Sequence, residues 1–291
     1  ATTDIDWTPE VNFGESQAEH PAAGLFGDMD LGPLSGRPEG EMTRFRWEFQ
    51  SWMVSQFMHG EQGALVATAR LVETVPDIDS KFYAANQVAD EARHVEAYAK
   101  YLNEKLQHSY EISKPLESLL VDIMGEKRWD ITYLGMQIMV EGLALAAFGL
   151  GNAMFQDPII KQITDYVMRD EARHVAFGVL SLQGLYTEMT SAELADREEF
   201  LLEASQLMYN RFLLDEVWER MGVPAAEGKE FASNNPLMMV FRQMLFSKIV
   251  PNLNKLGLLT PKVRELYASL NLLHFENNAD SATEELGSVS A

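Results

Sequence analysis

The string Asp90-Glu91-Ala92-Arg93-His94-Val95 recurs as Asp170-Glu171-Ala172-Arg173-His174-Val175, an offset of 80 residues. Thirty positions upstream of each glutamate stands another: Glu61 before Glu91, and Glu141 before Glu171. Their settings also match, Glu61-Gln62-Gly63-Ala64-Leu65 against Glu141-Gly142-Leu143-Ala144-Leu145. The apolar periodicity around all four positions is helical. Pro76 lies midway between Glu61 and Glu91, and the turn at Gln156-Asp157-Pro158 lies midway between Glu141 and Glu171. In an antiparallel hairpin each glutamate then sits about 22 Å from its turn, at 1.5 Å per residue, and the partners end side by side. Two such hairpins place four carboxylates at one level of a four-helix bundle. The repeat therefore predicts an all-α fold.

In each Glu-x-x-His, positions i and i+3 share a helix face, so Glu91 points with His94 and Glu171 with His174. One Glu from each of two helices, plus one Glu-x-x-His from each of the other two, is a donor set that holds two metal ions. The charge agrees. Four carboxylates and two neutral imidazoles balance two divalent cations; without them, clustered buried carboxylates must take up protons. Oxygen and imidazole donors without thiolate suit iron or manganese, and the general affinity order does not choose between these. A lone Glu-x-x-His on a helix is ordinary surface decoration, but two complete copies with matched upstream glutamates are not.

Metal-bound histidine usually donates its second ring N–H to a carboxylate. Asp90 is expected to reach His174, and Asp170 to reach His94, with Arg93 and Arg173 holding the aspartates. The alternative for these four is surface ion pairing. Tyr98 lies four residues after His94, where the repeat has Gly178. It is either an electron and proton donor near an oxidising centre or a core tyrosine. Met136, Met139, Met168, Phe148 and Phe177 are read as core or pocket wall.

Residues 1–40 are rich in Gly and Pro and are expected to form an irregular arm, pinned by Trp7, Leu25, Phe26 and Leu31. Helices are predicted over about 42–74, up to 107 from a cap at Asp79 or Ser80, 115–124, 130–154, 158–188 and 192–221, the last capped by Thr190 or Ser191. A further helical region, 229–272, is interrupted near Pro236, Pro251 and Pro261, and 276–291 reads as a polar, frayed tail. The helical domain is thus 41–275, with a metal-binding core at 42–188 and additional helices over 190–275.

The chain has no cysteine, which excludes disulfides, iron–sulfur clusters and thiolate zinc sites. A net charge of −21 disfavours nucleic acid and anionic membranes as partners. No apolar run reaches membrane length, and the first residues lack the basic and apolar regions of a signal peptide. A cytoplasmic location and a homodimer are expected.

Glu61, Glu91-Ala-Arg-His94, Glu141 and Glu171-Ala-Arg-His174 resemble the ferritin-like non-haem di-iron carboxylate superfamily over residues 42–188. The paired Asp-Glu-x-Arg-His strings are similar to those of bacterial multicomponent monooxygenase hydroxylases, which carry a threonine where this chain has Leu145. Tyr98 stands where ribonucleotide reductase small subunits keep a radical tyrosine, and Glu61 as first ligand is shared with R2-like ligand-binding oxidases. Arylamine N-oxygenases add a histidine where this chain has Val167. The resemblance implies two iron ions, or manganese and iron, in an O₂-activating oxidase or oxygenase. It would act on a small, apolar organic substrate with electrons from an external reductase or ferredoxin, since no flavin or nicotinamide motif is present. A radical-generating subunit and a ferroxidase are the competing expectations.

Overall fold

The computed structural model describes residues 3–11, 32–155 and 157–289, and these are all-α, with no strand among them. Helix α1 spans Glu39–Thr74. It stops because Pro76 drives the preceding residue out of the helical region, and Val75 is accordingly extended. Helix α2, Ile78–Lys100, starts at Asp77, whose carboxylate accepts from Ser80 N at 2.8 Å. The cap is therefore neither Asp79 nor Ser80 but the carboxylate that reaches back to the first free amides. Helix α3 spans Lys114–Gly125. Helix α4 runs from Trp129 to Met154. Helix α5, Pro158–Leu182, has Asp157 as its cap, accepting from Ile159 N at 2.8 Å, and Pro158 in its first turn. Helix α1 packs along α2, the second half of α4 along α5, and α2 also meets α5.

Helix α4 is not regular. Leu134–Glu141 is wound as a π-helix, with Glu141 as its last residue. Such segments are frequent at functional sites because the wider turn re-aims the side chains that follow. A second π segment, Tyr101–Leu106, continues α2. The π segment of α4 also accounts for Gly178. A Cβ at that position would lie 2.6 Å from Gln137 Cβ, so α5 closes on the widened helix only with glycine there.

Beyond α5 come α6 (Ser191–Asn210), α7 (Asp215–Arg220), α8 (Ala225–Asn234), α9 (Pro236–Met244), α10 (Ile249–Lys255) and α11 (Pro261–Ser269). A capping box of Thr190 with Glu193 opens α6. Pro236 and Pro261 begin helices instead of interrupting them, since a proline in the first turn has no amide to waste. Pro251 lies inside the first turn of α10. Arg197 of α6 grips Asp130 of α4 through two hydrogen bonds, Nε to Oδ2 at 2.9 Å and Nη2 to Oδ1 at 3.0 Å, both side chains buried.

Further expectations change. Residues 276–291 include a further helix, α12 (Ser281–Val289), which packs on α5. Its start is held by buried polar groups that composition does not reveal: Ser281 N donates to Asn252 Oδ1 at 2.8 Å. The fourth long helix ends at Leu182, short of 188, because Gly184 turns the chain in the left-handed region. One helix among the described residues, α4, is long and apolar enough to cross a membrane, although no single run is; 78% of its most apolar window is buried against the other helices. In the arm, Ile5 is buried and Lys100 Nζ stands 4.3 Å above the Trp7 ring. Leu25, Phe26, Leu31 and Gln156 lie outside the described residues.

Asp130→Ala is expected to cost about 3–5 kcal/mol, because it strands a buried guanidinium. Urea unfolding of the two proteins measures this. Arg197→Met in the Asp130→Ala background should recover part of the loss.

Candidate metal centre

Six side chains from four helices converge where the two hairpins face each other. Glu61 comes from α1, Glu91 and His94 from α2, Glu141 from α4, and Glu171 and His174 from α5, and all six are buried. They form two overlapping groups of donors, Glu61-Glu91-His94-Glu171 and Glu91-Glu141-Glu171-His174, each with its ligand atoms within 4.8 Å of one another. Glu91 and Glu171 belong to both. Each of these four-donor groups could hold a metal ion, and the two groups share two carboxylates.

The ring orientations fit this use. His94 Nε2 lies 3.1 Å from Asp170 Oδ2, and His174 Nε2 lies 3.5 Å from Asp90 Oδ2. Each aspartate thus faces the histidine of the other hairpin. Arg93 Nη1 donates to Asp90 at 2.5 Å, and Arg173 Nη2 donates to Asp170. With Nε2 directed at an aspartate, Nδ1 of each histidine is turned into the carboxylates. His94 Nδ1 is 3.1 Å from Glu171 Oε1 and 3.3 Å from Glu61 Oε2; His174 Nδ1 is 3.2 Å from Glu91 Oε1. A neutral imidazole with its proton on Nε2 would set a lone pair against those oxygens, so something positive belongs between them.

The orphaned atoms point the same way. Glu91 Oε2, Glu141 Oε2, both oxygens of Glu171 and His174 Nδ1 are buried without a hydrogen-bond partner. Buried acceptors left unpaired are costly, and these all face one space. Gln87, four residues before Glu91 on the same face of α2, ties two of the clustered carboxylates together. Its Nε2 donates to Glu91 Oε1 and to Glu141 Oε1, both at 3.0 Å. Sequence reading missed Gln87. The one signal for it was its i, i+4 spacing from Glu91, and the repeat position holds Val167 instead.

Electrostatics shows what the cluster demands. Burial and the negative charge of Glu171 push the Glu61 carboxyl well above its usual range. Burial, Glu171 and Glu91 do the same to Glu141. Burial works against the charged forms of His94 and His174, but the surrounding carboxylates outweigh it and raise both strongly. For Glu91, burial is outweighed by the two histidines that face it, which hold it low. Two carboxyls and two rings thus carry protons in place of the charge of two divalent cations.

An apolar void adjoins the cluster on one side, walled by Phe57, Val140, Leu143 and Phe148, with Glu61, Glu141 and Glu171 at its edge. Phe57 and Phe148 meet edge-on with centroids 4.6 Å apart. Tyr98 packs against both rings, fully buried, and its hydroxyl has no hydrogen-bond partner of good geometry. Burial and Glu61 hold that phenol well above its usual range, so it is neutral. Met136 and Met139 are core, while Phe177 stacks on Tyr83 at 3.7 Å. Comparison with family models finds no match, and a search of curated proteins finds no sequence match.

The pH dependence of the metal-free protein follows from these shifts. Glu61 and Glu141 bind protons more tightly folded than unfolded, so their contribution to stability is lost as pH rises above the ordinary value of 4.5. The raised histidines have the same sign above 6.5. Glu91, held low, acts only below the ordinary carboxylate range. The melting temperature of chelated protein should therefore fall steadily from about pH 5 to about pH 9. Metal-loaded protein should show no such fall. Calorimetry across that range measures both.

Proposed function

We propose that this chain is a dinuclear metal oxidoreductase of ferritin-like architecture that activates O₂ to oxidise a small, largely apolar organic substrate. The observation that carries the reading is the pair of overlapping donor groups sharing Glu91 and Glu171. Two iron ions, or one manganese and one iron, bound there supply redox capacity toward O₂. The chain's own residues prepare the setting. Asp90 and Asp170 fix the imidazole tautomer and aim Nδ1 inward. Gln87 limits how far Glu91 and Glu141 swing, while the orphaned oxygens of Glu171 leave that carboxylate free to move. Phe57, Leu143 and Phe148 keep bulk water from the open side. Electrons come from a separate reductase or ferredoxin.

A second reading, a radical-generating subunit, is favoured by one feature: Tyr98 is a neutral, buried phenol without a hydrogen-bond partner beside the Glu61 end of the cluster. After reduced, loaded protein meets oxygen, a tyrosyl signal by electron paramagnetic resonance that vanishes in Tyr98→Phe would support it. Oxygen uptake that survives Tyr98→Phe with no such signal supports the oxidase.

Metal counting tests the donor assignment. Wild-type protein loaded without oxygen should hold two ions per chain by mass spectrometry. Replacing a shared ligand, Glu91→Ala or Glu171→Ala, should cost both ions. Replacing an unshared one, Glu61→Ala or Glu141→Ala, should leave close to one. Equal losses at all four positions would contradict the shared arrangement. Once reduced, the loaded protein should consume O₂ faster than the same iron free in solution; the same rate would end the oxidase reading.

A further inference from the structure

The void beside the cluster has a second polar end. Arg211 lines it, in the short turn Arg211–Leu213 that follows α6. The residue is only 7% exposed, yet it forms no ion pair with a described carboxylate. Its Nε has no hydrogen-bond partner, and Nη1 reaches only Met208 Sδ at 3.8 Å. Its guanidinium stands 5.0 Å from the Phe212 ring, itself part of the wall. Glu216 is the carboxylate whose field reaches it, but Glu216 Oε2 is engaged by Trp52 Nε1 at 3.1 Å. Burial pushes Arg211 down to about 10, still a cation at neutral pH. A buried charge left without its partner is strongly destabilising; here the partner is missing from the outset. The other polar wall at this end, Gln56, is spent: it donates to Glu111 O and accepts from Ser113 N, both at 2.9 Å.

The two polar ends are set apart along α1. Gln56, which lines the void at the Arg211 end, is five residues before Glu61, or about 7.5 Å of helix. Between them the wall is Phe57, Ala147 and Phe148. We infer that Arg211 is an anion-recognition residue and that the substrate is an organic acid: its carboxylate pairs with Arg211, and its apolar body lies along Phe57 and Phe148 with the far end at Glu61 and Glu141. A guanidinium fork matches a carboxylate with two parallel hydrogen bonds. The void offers about 30 Å³, room for a water or two, so the acid enters as aromatic side chains turn aside. That the acid is a substrate, and not only a ligand, rests on the dinuclear reading; its binding to Arg211 does not.

Calorimetric titration with octanoate against 1-octanol, and 4-phenylbutyrate against 4-phenylbutanol, tests this on metal-loaded and on chelated protein. Each acid should bind at least tenfold more tightly than its alcohol in both forms. Arg211→Gln should erase the preference while metal content stays at the wild-type level. Arg211→Lys, which keeps the charge, should retain it with weaker binding and covers the case in which the glutamine variant does not fold. Equal binding of acid and alcohol, or a preference that survives Arg211→Gln, overturns the assignment. So does a preference seen only in loaded protein, since the acid would then sit on the metals. Absence of bound metal with the acid preference intact would instead sink the dinuclear reading and leave Arg211 standing.

Discussion

Four carboxylates buried at one level of a helical core cannot remain ionised without compensation, and much of this structure answers that demand. In water the repulsion is screened; inside a protein it is not. The chain supplies compensation in shells. Two imidazoles face the carboxylates, two aspartates hold the imidazoles, and two arginines hold the aspartates at the surface. This relay keeps charges of alternating sign in contact from solvent to core. It leaves one deficit, at the centre, where acceptors have no donors. Among the described residues of the relay, the unpaired acceptors are confined to that one place.

The helices are shaped to serve that centre, not the reverse. A regular α4 would present Glu141 on a face set by the turns before it. The π segment ends on this residue and re-aims it, at a cost in helix geometry that neighbouring packing must offset. Gly178 shows how: with no Cβ, α5 approaches Gln137 of the widened turn, and Gln137 Nε2 lies 3.5 Å from Gln87 Oε1. Gln87 in turn bonds Glu91 and Glu141. A glycine that looked like a gap in the repeat is thus two side chains away from Glu91 and Glu141.

What was legible in the sequence was whatever repeats or obeys helical spacing. The 80-residue offset was enough to bring Glu61, Glu91, His94, Glu141, Glu171 and His174 together, because hairpin symmetry turns sequence distance into spatial level. Proline and aspartate punctuation located the helix starts to within a few residues. What breaks symmetry was not legible. Gln87 has no counterpart at Val167, the π segment leaves no mark on apolar periodicity, and Arg211 sits outside the repeat in a turn whose neighbours are ordinary core residues. Helix α12 was hidden by its polar composition, since its anchor, Asn252 with Ser281, is a contact between residues 29 positions apart.

Helix α12 carries a consequence for how the protein is made. It lies along α5, the helix that bears Glu171 and His174. Its first residue, Ser281, follows the last residue of α5, Leu182, by 99 positions. At about 5–20 residues per second of synthesis, α5 spends several seconds with that flank bare while both hairpins are already complete. In that interval the face of α5 that α12 later covers has only its own sequence to keep it helical.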